Sequence, residues 1–271
     1  MLLRNYWSKK IWIIMLIVVI IGLVFVLFLW LRRNKSERNF AIIPHFMLNN
    51  KKVDQFYNFL SNEYWKPDKI ILISPNHFHT QEKDIKTICK NSLINYKSET
   101  MNLSAKLNDL WVKCDEENEI FNPRWNGLQI NEHGIGEHFQ WINKYFPDTE
   151  IIPLISPCFQ ISTVKEILPL IRSLNWNILV IASVDFAHYQ NEEQTLQHDQ
   201  KSIETLKSMT LNESDFLDSI DADCPACLYL LQNLASQNWK TAELRYRDSS
   251  STILGKDMWA ENTSRIFMWY K

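Results

Sequence analysis

The chain has 271 residues, 46% of them hydrophobic, with 29 Lys and Arg against 31 Asp and Glu and a formal net charge of −2. That length and apolar share suit one sizeable buried core. The near-balanced, intermixed charge excludes the basic face that the phosphates of a nucleic-acid partner demand, and with only 5 glycines there is no phosphate-cradling loop.

Residues Ile11–Leu31 carry no charge and no proline. This matches the roughly 20 residues that cross a bilayer as a helix. Arg4, Lys9 and Lys10 precede the run, Arg32, Arg33, Lys35 and Arg38 follow it, and Trp7, Trp12 and Trp30 sit where aromatic belts form. A cleavable signal peptide would have a shorter apolar core ending in small residues, whereas this one ends Phe28-Leu29-Trp30-Leu31-Arg32. The expectation is a basic flank over 1–10, a transmembrane anchor in the lipid bilayer over 11–31, a polar linker over 32–39 and one α/β domain over 40–271. That makes a single-pass membrane protein whose flanking charges do not decide on which side the domain lies.

Ala41–His45 reads as a first strand, and Lys51–Tyr64 as an amphipathic helix with Val53, Phe56, Tyr57 and Leu60 on one face. Lys69–His79 is a second strand-like run that breaks at Pro75. Within Ile85–Trp111 the pattern allows a strand near Thr87–Cys89 and a helix near Ala105–Trp111, and Glu116–Asn126 reads as a surface loop. His133 belongs to a tight turn ahead of a helix ending near Phe146. Glu150–Ser156 is a buried strand, and Ser162 looks like the N-cap of a helix running to Leu174. Ile178–Tyr189 is apolar and largely β-branched, the pattern of a strand buried on both faces, and it stops on Asp185 and His188. A helical bias over Asn191–Met209, helices over Asp215–Ile220 and Cys227–Gln237, and closing strands at Leu244–Tyr246 and Ile266–Trp269 complete the order. Alternation of strands and helices predicts an α/β fold, a single domain with a central, mostly parallel sheet flanked by helices.

Three strand-like runs thus end in His45, in His77 and in the Asp185/His188 pair. Open α/β sheets bind ligands beyond the carboxyl ends of their strands. With His133 and Cys224, these residues offer the imidazole, carboxylate and thiolate groups from which iron, copper and zinc sites are made. His79, two past His77, and His198, in a charged helical stretch, read as solvated, and His138 as structural. The five cysteines, Cys89, Cys114, Cys158, Cys224 and Cys227, are an odd set that fixes no redox compartment. Cys224 and Cys227 form a C-x-x-C pair without the second pair of a zinc site. The serines lack the G-x-S-x-G elbow of a hydrolase nucleophile.

Taken in order, AIIPH, ILISPNH, EHGIG, SVDFAH and the late Asp223-Cys224 resemble the motifs of the Memo-like family, also named AmmeMemoRadiSam system protein B. The resemblance spans about Ala41 to Cys224, with S-x-D-F-x-H its most telling piece. It implies metal ligands at His45, His77 and Cys224, with Asp185, His188 and His133 in or beside the same pocket. It also implies a fold similar to class III extradiol dioxygenases, in which His188 would match the acid/base histidine. The cofactor so implied is a divalent metal, iron or copper in preference to zinc. The chemistry implied is redox on a small molecule, with the non-catalytic docking of a peptide or partner as the alternative. Radical-SAM and AMMECR-type proteins are the partners the family name implies. Phe46-Met47, Gly136 and Pro225 depart from the family's Ala-Gly, Glu and Gly at the corresponding positions.

Overall fold

The computed structural model describes residues 15–24 and 37–271, except 65, 79–82, 88–91, 97–98, 105–112, 115–120, 123–128, 131, 257 and 259–260. The chain divides at Arg38 into two units. In the first, residues 15–24 form a helix (α1). At about 1.5 Å rise per residue these ten residues cover about half of the roughly 30 Å hydrocarbon layer, and the rest of the apolar run lies outside the described residues. Among the described residues no helix is long and apolar enough to cross a membrane. The expectations of a transmembrane helix and a membrane location are corrected accordingly.

The second unit is mixed α/β. Its sheet is centred on four parallel strands in the spatial order β1 (Arg38–Ile43), β10 (Ile178–Ser183), β2 (Lys69–Pro75) and β9 (Glu150–Ser156). All four are runs of aliphatic residues buried on both faces, so their alternate side chains feed two separate cores. Phe40, Ile42, Ile71, Ile73, Ile152, Val180 and Ala182 pack with helices α5 (Ile161–Ser173) and α8 (Pro225–Gln237). On the opposite face Ala41, Ile43, Ile70, Leu72, Ile151, Leu179 and Ile181 pack with α2 (Lys51–Glu63) and α4 (Phe139–Tyr145).

The sheet is extended at both margins, by antiparallel strands beside β1 and by a mixture of antiparallel and parallel pairings beside β9. Beside β1 lies β13 (Thr263–Tyr270), which also pairs with β11 (Phe186–His188) and β12 (Ala242–Ser249). On the other margin β3 (Lys86–Thr87) pairs with β9 and with β6 (Lys113–Cys114). A hairpin of β4 (Ser92–Tyr96) and β5 (Glu99–Leu103), which the irregular pattern of this stretch concealed, joins β9 through Leu103. The strands β7 (Phe121–Asn122) and β8 (Gln129–Ile130) pair within and beside the expected surface loop. The expected helix near Ala105–Trp111 lies outside the described residues.

Helix α5 begins at Ile161 after an N-cap Gln160 that makes no side-chain bond, not at Ser162. Burial of Ile161 in the core outweighs the capping preference of the serine. Helices α6 (Glu192–Lys207), α7 (Glu213–Leu217) and α9 (Ser250–Leu254) complete the unit with α3 (His133–Gly136), a single helical turn ahead of α4.

Candidate metal centre

Three neighbouring parallel strands deliver the site. His45 lies two residues past β1, Asp185 two past β10 and His77 two past β2. Because β10 lies between β1 and β2, the three side chains emerge side by side at one end of the sheet. His133 arrives on α3. The ring centroids of His45 and His77 are 5.0 Å apart, those of His45 and His133 5.0 Å, and those of His77 and His133 4.1 Å.

Two sets of ligand-type atoms converge within 4.8 Å: those of His45, His77 and His133, and those of His45, Asp185 and Asp223. Asp223 had no place in the sequence-based site. It is carried in by the segment before α8, which lies against the stretch that follows β10. Asp223 N–H donates to the Asp185 carbonyl (3.0 Å), Ala187 N–H donates to the Asp221 carbonyl (3.1 Å), and Phe186 bridges Ala222. His45 Nε2 then lies 3.3 Å from Asp185 Oδ2 and 3.2 Å from Asp223 Oδ2, with His77 Nε2 3.9 Å from the latter.

Cys224, expected as the third metal ligand, has its sulfur bonded to Cys227 and is fully buried. It serves as N-cap of α8, its Sγ accepting from Cys227 N–H at 3.3 Å. The carboxylate of its neighbour Asp223 stands where the thiolate was expected. The only sequence signal for this was adjacency within the Asp223-Cys224 pair.

Asp185 Oδ1 accepts from the backbone N–H groups of His45 and Phe46, both at 3.1 Å, and so holds the turn that carries His45. Glu132, also missed in the sequence, is fully buried and does the same for His77. Its Oε1 pairs with His77 Nδ1 at 2.6 Å and accepts from Gly134 N–H at 2.9 Å, while Oε2 accepts from His77 N–H at 3.1 Å. Glycine at 134 lets α3 sit close on β2, since a Cβ there would lie 2.1 Å from Ser74 Oγ and 3.2 Å from Ser74 Cβ. A carboxylate behind a candidate ligand histidine, leaving Nε2 facing the site, is the usual supporting arrangement in metal centres.

His188 is half-buried on β11, 5.7 Å from the Tyr189 ring, and outside both ligand sets. His198 is exposed on α6 and pairs with Asp221 at 2.6 Å, and His79 lies outside the described residues. His138, read from sequence as structural, is buried behind His45.

The electrostatics follow from this packing. Burial opposes a charge on His45, but Asp185 and Asp223 outweigh it and hold the ring's pKa at about 9. Burial likewise opposes the charge on His77, where Asp223 and Glu132 raise the pKa to about 10. His133 is lowered by burial and then by repulsion from His77 and His45, so it stays neutral. Burial raises Asp185, while His45 and its other cationic neighbours overcome burial at Asp223 and hold it at about 2.

The donor set fits a divalent cation on two counts. Imidazole and carboxylate together suit iron, copper or zinc. Among the described residues Asp223 Oδ1 is buried without a hydrogen-bond partner, a cost that a cation in the cluster would remove.

Comparison with known proteins agrees with this architecture. A MEMO1 family protein of Pyrobaculum arsenaticum is 25% identical over 175 residues, 60% of this chain and 58% of that protein. A second, from Saccharolobus solfataricus, is 24% identical over 194 residues, 65% of this chain and 63% of that one. The alignments thus span about three fifths of these relatives. The crystal structure of the uncharacterized protein JW3007 from Escherichia coli K12 shares the fold, with a TM-score of 0.51, 9% identity and coverage of 84% of this chain and 98% of that one. The family model described as Memo-like protein matches residues 27–254, and this chain belongs to the Memo-like family.

Proposed function

We propose that this chain binds a divalent metal, iron or copper in preference to zinc, and uses it for redox chemistry on a small molecule. The observation that carries the reading is the convergence of His45, His77 and His133 with the buried carboxylate of Asp185 and the partly buried one of Asp223, whose Oδ1 is buried without a hydrogen-bond partner. His45 and His77 would present Nε2 to the cation, His133 would add a neutral imidazole, and Asp223 a charged carboxylate. When bound, such a metal supplies Lewis acidity and, for iron or copper, one-electron chemistry.

The chain's own residues do the rest. Asp185 and Glu132 hold the two ligand loops, and their charges offset the cost of taking a cation from water into a largely buried site. His188, half-buried on β11, would take or give a proton on a bound substrate.

The test is metal content by elemental mass spectrometry on anaerobically purified full chain, beside His45→Ala, Asp223→Asn and Cys224→Ser, with folding followed by circular dichroism. Near-stoichiometric iron or copper that is lost in the first two variants and kept in the third is expected. Loss in Cys224→Ser with retention in Asp223→Asn would restore the thiolate as the ligand. No metal in the parent chain and no uptake of iron, copper or zinc would overturn the metal reading. Should metal bind, His188→Ala should retain it while turnover of an oxidisable substrate falls by about 10²–10⁴-fold.

A further inference from the structure

Behind His45, on the side away from the carboxylates, runs a chain of three hydrogen bonds. His45 Nδ1 lies 3.1 Å from Ser183 Oγ, Ser183 Oγ lies 2.9 Å from His138 Nε2, and His138 Nδ1 lies 2.7 Å from the Tyr57 hydroxyl. Ser183, His138 and Tyr57 are fully buried and His45 nearly so. The chain passes from the end of β10 to the start of α4 and into the middle of α2, where the Tyr57 ring stacks on Tyr145. Neither the ligand set nor the supporting carboxylates account for this row of polar groups between helices and sheet.

Its logic follows from counting hydrogens. A serine hydroxyl has one hydrogen to give, and a neutral imidazole has one donor nitrogen and one acceptor nitrogen. Ser183 and His138 each stand between two partners, so the direction of one link dictates the next. If His45 Nδ1 carries the hydrogen, Ser183 accepts it and donates to His138 Nε2, and His138 Nδ1 donates to Tyr57. If His45 Nδ1 is bare, every link reverses. A mixed arrangement sets two donors or two acceptors against each other in a buried place, which is the costly case. His138 supports the count because burial holds it neutral, with a pKa of about 3. Tyr57 can end the row in either sense, since a hydroxyl both donates and accepts.

We propose that Tyr57, His138 and Ser183 are positioning residues for the candidate metal centre, a buried relay whose links all turn to accept the Nδ1–H of His45 once Nε2 is committed to Asp185, Asp223 or, after its proton leaves, a bound cation. The proposal deepens the metal-binding reading and rests on it for its functional meaning. Its consequence is that a hydroxyl three hydrogen bonds away from the cation tunes the site.

Cobalt(II) is a suitable probe, because it reports affinity and ligand field in one titration of the full chain. Ser183→Ala removes the acceptor of His45 Nδ1–H and should weaken cobalt binding by about 10–100-fold. Tyr57→Phe removes one hydroxyl, keeps the ring and its packing, and should weaken binding by several-fold with a shift in the visible bands. In the double variant the loss should equal that of Ser183→Ala alone, because Tyr57 acts only through Ser183. Full addition of the two losses, or no effect of Tyr57→Phe on affinity and spectrum, would overturn the relay.

If the parent chain binds no cobalt or zinc, the metal reading falls. The relay is then read in the metal-free protein from nitrogen-15 spectra of the histidine rings. Tyr57→Phe should move the His45 ring resonances as well as those of His138, and an unmoved His45 would refute the relay.

Discussion

Metal binding at this centre should release close to two protons at pH 7. With pKa values of about 9 for His45 and about 10 for His77, the protonated forms outweigh the neutral ones by ~100:1 and ~1000:1 at that pH. Either value could fall by a full unit and the ring would still be more than ~90% charged. His133 is lowered, and so contributes no proton. Two histidines at their ordinary pKa of about 6.5 would together release only ~0.5 proton. The same competition makes apparent affinity climb by ~100-fold per pH unit from pH 7 towards 9, about 1.4 kcal/mol per proton per unit, then by ~10-fold from 9 to 10 before it levels off. Calorimetric titration of zinc into the metal-free chain at pH 7, in buffers of different ionisation enthalpy, counts the protons directly. A release below one proton, or an affinity slope under tenfold per unit, would mean that Asp185, Asp223 and Glu132 do not hold protons on these rings and that the electrostatic account of the site is wrong.

Stability of the metal-free chain should peak near pH 6.5. His45 and His77 are raised in the folded state, so their contribution is complete below about 6.5 and is lost as pH climbs through 9 and 10. His138 is depressed to about 3, so its contribution is complete above about 6.5 and is lost on acidification, at about 1.4 kcal/mol per unit. Urea melts from pH 4 to 10 test this, and a stability that keeps rising above pH 8 would refute it. Gly134→Ala should cost about 1–3 kcal/mol, because its Cβ collides with Ser74 Oγ, and adding Ser74→Ala should recover most of that. A change under about 0.5 kcal/mol in the single variant would show that α3 does not sit tightly on β2. Phe56→Ala empties a fully buried position with Phe267 at 5.5 Å, Phe59 at 6.0 Å and Tyr246 at 6.4 Å between ring centroids. Unfolding free energy should drop by about 3–5 kcal/mol, and a loss below about 1.5 kcal/mol would place this residue outside the core.

The sequence by itself determined the central framework, because strands buried on both faces must be continuous aliphatic runs, and β1, β2, β9 and β10 are such runs. It also exposed His45, His77 and Asp185, since polar residues that interrupt a buried strand at its carboxyl end have few structural reasons to be there. The motif order gave the family. Local pattern misled at the N-terminus, where an apolar run suggested a membrane-crossing helix, and among the described residues no such helix is found.

Other features required tertiary structure because they depend on which loops meet. Asp223 enters the site only because residues 221–223 lie against 185–187, and the same arrangement leaves Cys224 as the helix cap bonded to Cys227. Glu132 supports His77 from 55 positions away, and Ser183 links His138, 45 positions before it, to His45, 138 positions before it. Hydrogen bonds between residues so far apart leave no periodicity for a one-dimensional pattern to carry. The histidines that end the strands were therefore legible in the sequence, whereas the groups that aim them are set by the packing of helix, loop and sheet.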